Sequence, residues 1–155
     1  MEVWAEELAQ ALKIECEVLN ELSNIADKKT DIIINGNVAL LDNILNFEQP
    51  LLMQLENIEQ ARQSVLKQAK MQNFTLSEIA SKSEDTEKDI FLNYLSSFNN
   101  ISSKLKRTNN LNNKLVRSRL ELYEQLRGDQ TNHTYVPSGM SHQTPANPSI
   151  MDKKF

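Results

Sequence analysis

The fold is decided by residues 3–34, whose sequence is VWAEELAQALKIECEVLNELSNIADKKTDIII. Apolar residues recur every seven positions along two adjacent lines. These lines are Trp4, Ala11, Val18, Ile25 and Ile32, and Ala5, Leu12, Leu19, Ala26 and Ile33. Such a repeat is typical of a long helix with a coiled-coil-like face. It predicts a first helix over residues 2–34, ended by Asn35-Gly36-Asn37, because Gly and Asn tolerate the left-handed conformation that closes helices.

A second helix is predicted over residues 37–72, with Asn37 as its N-cap. Pro50 lies inside this helix and predicts a kink, but the apolar positions keep their phase on both sides of it, which favours one bent helix. Glu48 and Arg62 fall on the apolar seam of this helix. We expect them to pair across helices or to extend their charged ends into solvent.

A third helix is predicted over residues 85–127, where Gly128 ends it. Between the second and third helices, Thr75-Leu76-Ser77-Glu78 has the spacing of a capping box. This spacing predicts a short helical turn over residues 75–80.

The last part of the chain differs in composition. Residues 129–155 contain three of the four prolines, both histidines and many Ser, Thr, Asn and Gln, without periodicity. Such a segment buries too little apolar surface to offset the entropy of ordering it. We therefore predict an all-α protein: an elongated antiparallel three-helix, coiled-coil-like bundle over residues 1–128, followed by a disordered C-terminal tail over residues 129–155.

The composition of the 155 residues excludes several classes of protein. Only two of the seven glycines and prolines lie before residue 128, whereas a β-sandwich needs turn residues at short intervals. Cys16 is the single cysteine, so neither an intramolecular disulfide nor a cysteine-based zinc site is expected. His133 and His142 both lie in the predicted tail, which leaves catalytic histidine sites without a scaffold. We expect no enzyme activity, no metal and no cofactor.

The sequence also bears on location. No apolar run approaches the roughly 18 residues of a membrane span. The acidic start, MEVWAEE, resembles neither a signal peptide nor a transit peptide. We predict a cytoplasmic protein without direct membrane insertion.

Charge is distributed unevenly along the chain. Residues 1–34 carry a net charge of −5, because eight acidic residues oppose three lysines, and residues 104–127 carry +5, because seven basic residues oppose two acidic ones. Equal and opposite blocks are best interpreted as segments that face each other. Since the whole chain has a net charge of −4, we do not expect it to bind nucleic acid.

Two asparagines, Asn109 and Asn112, share a side of the third helix with the apolar residues Leu105, Leu115 and Val116. One interpretation is that they fix the register of the bundle at some cost in stability. The other is that they leave part of the apolar seam open to a partner helix. The pattern alone favours neither.

Three stretches of the chain carry recognisable motifs. The first is residues 37–44, NVALLDNI, continued by Glu48, Leu52, Leu55, Glu59 and Arg62. The second is residues 109–116, NNLNNKLV, which follows the pattern Asn-x-x-Asn-x-x-Leu-Leu except at Val116. The third is residues 134–139, TYVPSG, a Tyr-x-x-x-Gly element that precedes a basic C-terminus. In this order, the three stretches resemble the motifs of the FlgN-type export chaperones of the bacterial flagellar type III system.

The resemblance implies a chaperone that binds hook–filament junction proteins in the cytoplasm, shields their C-terminal helical segments and brings them to the cytoplasmic domain of an export-gate membrane protein. The second half of the third helix is apolar and basic, as expected of a surface that accepts an amphipathic client helix. The predicted client-binding residues are Asn109, Asn112, Leu115, Val116, Arg119, Leu122, Tyr123 and Leu126.

Export-gate docking is assigned to Tyr135, with Val136 and Gly139 beside it. Tyr135 is a lone aromatic residue eight positions past the predicted end of the third helix, so it can reach a second surface while that helix holds a client. An aromatic ring supplies a large contact area at little conformational cost.

Alternative functions remain open at this point. The same apolar seam would suit a structural coiled-coil scaffold that forms a homodimer, and a chaperone for a different flagellar client would share the helical pattern. A nucleic-acid binder using the basic end of the third helix is disfavoured by the acidic net charge.

Overall fold

A computed structural model describes residues 2–131 of the chain. It contains four helices: α1 (Val3–Asn35), α2 (Val38–Gln68), α3 (Leu76–Lys82) and α4 (Asp85–Thr131). Helices are the only regular secondary structure in this part of the chain, and they pack as a bundle, so the all-α prediction is confirmed. The predicted tail beyond residue 131 lies outside the described residues.

The turn between α1 and α2 forms as its residue types predict. Gly36 has a left-handed backbone, with φ of 72°, and its N–H donates to the carbonyl of Ile33 at 3.2 Å. Asn37 then caps α2, because its side chain accepts a hydrogen bond from the N–H of Leu40 at 3.2 Å. The result is a tight antiparallel hairpin of two long helices.

Two helix ends differ from the prediction. α2 ends at Gln68 rather than near residue 72, since Lys70 adopts a left-handed backbone with φ of 58°. α4 continues through Gly128 to Thr131, three residues into the segment predicted as tail. A glycine inside a helix costs only about 1 kcal/mol relative to alanine, so it does not by itself end one. Pro50 lies within α2, which stays one continuous helix as predicted.

The predicted turn over residues 75–80 is the seven-residue helix α3. Its capping box is complete, because Thr75 Oγ1 accepts from the N–H of Glu78 at 3.3 Å and the Glu78 carboxylate accepts from the N–H of Thr75 at 2.7 Å. The hydrogen bond from the Thr75 backbone lowers the pKa of Glu78. α3 packs against α4 at the end of the bundle opposite the hairpin, with Leu76 and Ile79 buried.

Helix α1 is the central element of the bundle. It packs against both α2 and α4, whereas no Cα atoms of α2 and α4 lie within 8 Å of each other. α1 and α4 run parallel, because Trp4 stacks on Phe91 at one end and Arg119 reaches the carbonyl of Ile34 at the other. The acidic block at residues 1–34 and the basic block at residues 104–127 contact each other through an ion pair, with 3.3 Å between Asp27 Oδ2 and Lys104 Nζ.

Two ion pairs set the register of α1 against α2. Both seam charges of α2 pair across helices: Glu48 with Lys29, and Arg62 with Glu15 at 3.4 Å. The Glu15–Arg62 pair is buried in the core. A buried pair gives little net stability, but removing one partner leaves the other as an uncompensated buried charge.

We expect Arg62→Met to lower the free energy of unfolding by about 3–5 kcal/mol, because the Glu15 carboxylate would stay buried without its cation. The double variant Glu15→Leu/Arg62→Met should recover most of this loss. Urea denaturation followed by circular dichroism measures both. A single variant as stable as the wild type would show that the pair does not hold α1 to α2.

Candidate functional site

One set of α4 residues, spaced seven positions apart and here called a heptad line, extends from the buried core to the surface. Its members are Phe91, Phe98, Leu105, Asn112, Arg119 and Leu126. Phe91 and Phe98 are 0% exposed and Leu105 and Asn112 are buried, but Leu126 is 56% exposed. The line therefore belongs to the bundle interface over most of its length and becomes unpartnered near its C-terminal end.

The reason is that α4 extends past the hairpin. α1 ends at Asn35, and Arg119 of α4 donates a hydrogen bond to the carbonyl of Ile34, one residue earlier. The two helices are parallel, so the α4 residues that follow lie beyond the end of α1. We call residues 121–131 the overhang; at 1.5 Å per residue it is about 16 Å long.

Three large apolar side chains are exposed on the overhang. Leu122, Tyr123 and Leu126 are each 56–60% exposed. They continue the lines that face α1 lower in the bundle, because Leu115 precedes Leu122, and Val116 precedes Tyr123, by one heptad. Leu115 is half-buried and Val116 is exposed. These five predicted client residues thus follow one face of α4, from the bundle onto the overhang.

Asn112 has a structural role in the described fold. Its side chain is buried, and its Nδ2 donates to the carbonyl of Ala26 at 3.0 Å. Its Oδ1 accepts from the hydroxyl of Thr30 at 2.5 Å. These contacts favour the register interpretation of Asn112, since a polar residue in an apolar seam pairs well in one alignment only. Asn109 is half-buried.

Arg119 also contacts the bundle. Its guanidinium donates to the carbonyl of Ile34 in the last turn of α1, which contains no basic residue of its own. Positive charge at a helix C-terminus is favourable, because the last carbonyls carry partial negative charge. Asn112 and Arg119 therefore hold α4 against α1 next to the exposed apolar face.

A groove that the sequence did not predict lies where the hairpin meets α4. It has a volume of about 220 Å³ and is lined mainly by apolar side chains: Ile32, Ile33, Val38, Leu41, Val116 and Leu120, with Gly36, Asn37 and Arg119 at the turn. We call it the tip groove. The sequence contained one indication of this groove, because Val38 and Leu41 lie in the first helical turns after the predicted chain turn. Heptad spacing does not show which residues of α4 contact them.

The remaining predictions concern the export-gate residues, membrane insertion and metal binding. Tyr135, Val136 and Gly139 lie outside the described residues. Within the described residues, no helix has the length and apolar character of a membrane span, and no group of three or more acidic, His or Cys side chains is placed to bind a metal ion.

Comparison with known proteins identifies the family. The family model described as FlgN protein matches residues 1–142, which include all four helices and the tyrosine element at residues 134–139. Neither the curated proteins nor the solved structures gave a match. The chain therefore belongs to the FlgN protein family of flagellar export chaperones, which are not enzymes.

Proposed function

We propose that this chaperone acts in the cytoplasm on hook–filament junction proteins, binding their C-terminal helical segments and delivering them to the cytoplasmic domain of an export-gate membrane protein. Membership of the FlgN family supports the general role. The exposed apolar face of the overhang supports the mode of client binding.

The observation that carries the proposal is that the core-facing stripe of α4 continues where the hairpin no longer covers it. Leu122, Tyr123 and Leu126 lie at spacings that an amphipathic helix can match, as in helix-in-groove recognition. Burial of one such side chain contributes about 1.5–3 kcal/mol. Because the three are only 56–60% exposed in the free chain, they supply roughly half of the 8 kcal/mol or so of a micromolar complex, and the client's own apolar surface must supply the rest.

The proposed client face consists of this exposed stripe and the adjoining part of α4 at the edge of the bundle. Leu115 and Val116 continue it inward, and Asn109 lies beside them on the same side of α4. Asn112 and Arg119 support the face from beneath, because their hydrogen bonds to α1 fix where the hairpin ends along α4.

We expect Leu122→Asp/Leu126→Asp to weaken client binding at least about thirtyfold, because charged groups would be buried against the client helix. The matched control is Phe47→Asp/Met53→Asp, which changes two large exposed apolar residues of α2 and adds the same charge. Isothermal titration with a purified junction protein measures both affinities, and circular dichroism checks that both variants stay helical.

Three results would contradict the client site. Unchanged client binding by the overhang variant would place the site elsewhere. Loss of helical structure in that variant alone would make Leu122 and Leu126 part of a core. The protein would be better described as a structural scaffold if two results were found together: the wild-type chain is a dimer and retains no junction protein, and the overhang variant is a monomer.

Delivery is proposed to depend on Tyr135, with Val136 and Gly139. Tyr135 follows the last described position by four residues, so it is separate in sequence from the client face on α4. The family match extends past it, to residue 142. A tyrosine supplies contact area together with a hydroxyl that can bond at a wet rim, which suits a contact that must later be released.

We expect Tyr135→Ala to weaken binding to the purified cytoplasmic domain of the export gate about thirtyfold, since truncating an aromatic anchor costs about 2 kcal/mol or more. Client affinity and helicity should not change. Met140→Ala is the control, because it truncates another large side chain of the same segment. An equal loss of client binding in Tyr135→Ala would move Tyr135 into the client site, and normal gate binding would remove it from delivery.

A further inference from the structure

The tip groove adjoins the proposed client face but belongs to a different part of the bundle. Its floor and walls come from three helices: Ile32 of α1, Val38 and Leu41 of α2, and Val116 and Leu120 of α4. Val38 is the first residue of α2 and is 71% exposed. Contact of an apolar groove with water is unfavourable in the free chain. An apolar group that fills the groove removes this surface from water, and this favours binding.

We propose that the tip groove is the second half of the client site, and that it receives a large aliphatic side chain from the end of the client helix nearest to the hairpin. The proposal rests on the proposed client site on the overhang. Its occupant is the same amphipathic helix, seated with that end against the turn between α1 and α2.

α4 determines the direction of a helix bound to the overhang. Leu122 and Leu126 face the side of α4 on which α1 packs lower in the bundle. A helix seated on them continues the line of α1 and meets the hairpin end-on. The tip groove is an apolar surface next to that meeting point, and it is continuous with the overhang because Val116 belongs both to its lining and to the heptad line of Tyr123.

The turn between α1 and α2 leaves the tip groove open. Gly36 has φ of +72° and carries no side chain, and a Cβ atom placed there would lie 2.9 Å from Nη1 of Arg119. The position is thus occupied by the guanidinium that caps α1 rather than by a side chain from the turn. Turn and guanidinium pack together beside the groove, so that Val38 remains accessible.

The test compares Val38→Asp with Met53→Asp in the full-length chain. Both residues are exposed apolar side chains of α2, at 71% and 65%, but Met53 lies outside the groove lining. Aspartate in the first turn of a helix is favoured by the helix dipole, so Val38→Asp should fold. Leu122→Asp serves as the reference for the overhang, and the probe is a purified full-length hook–filament junction protein in isothermal titration.

We expect Val38→Asp to weaken junction-protein binding about tenfold or more, Met53→Asp to leave it within about twofold, and Leu122→Asp to weaken it strongly. Unchanged binding by Val38→Asp together with loss in Leu122→Asp would overturn the groove proposal and leave the proposed function intact. Unchanged binding in both variants would overturn the proposed client site as well.

Three further outcomes would assign the groove to another occupant or to none. Equal weakening by Met53→Asp would show a general effect of added charge, which overturns the proposal. Tighter binding by Val38→Asp would mean that residues 132–155 of the chain itself compete for the groove. A free wild-type dimer that Val38→Asp dissociates, seen by sedimentation, would make a second copy the occupant.

Discussion

The difference in length between α1 and α4 is the constraint on which the other features of this chaperone depend. α1 has 33 residues and α4 has 47, and the excess of α4 lies mainly beyond the hairpin. A helix that packs along its whole length can bury its apolar stripe within the bundle. α4 cannot, because its stripe continues after the partner helix ends, and Leu122 and Leu126 are left exposed.

Polar contacts, in addition to apolar packing, hold the position of this boundary. Phe91, Phe98 and Leu105 could pack in more than one alignment, since apolar contacts are not directional. Asn112 and Arg119 occupy the next two positions of the same line, and each hydrogen-bonds a specific carbonyl of α1. Asn112, a buried polar residue in an apolar seam, lowers stability but selects one register, whereas Arg119 places a favourable positive charge at the C-terminal end of α1. Together these two residues determine where the covered part of α4 ends and where its exposed apolar face begins.

The sequence predicted the helices well because heptad spacing reports which residues share a helix face. It predicted the hairpin because Gly36 and Asn37 have local conformational preferences that act without tertiary structure. It also placed Glu48 and Arg62 on the seam, and both pair with α1.

What the sequence could not predict depends on the relative position of separate helices. Periodicity gives the same signal at Leu105, which is buried, and at Leu126, which is exposed, because it contains no information on where α1 stops. The alternatives for Asn112 stayed open for the same reason. The tip groove was missed because Val38 and Leu120 are 82 positions apart in the chain and meet only in the folded bundle.

Hydrogen–deuterium exchange of α4 amides, with and without a purified junction protein, tests directly whether the uncovered part of α4 binds the client. In the free chain, amides of residues 121–131 should exchange faster than those of residues 91–115, because only the latter are packed against α1. Addition of the junction protein should slow exchange in residues 121–131 and leave residues 91–108, which lie below the proposed client face, unchanged. Slow exchange of residues 121–131 in the free chain, or no change there on adding the junction protein, would contradict the account.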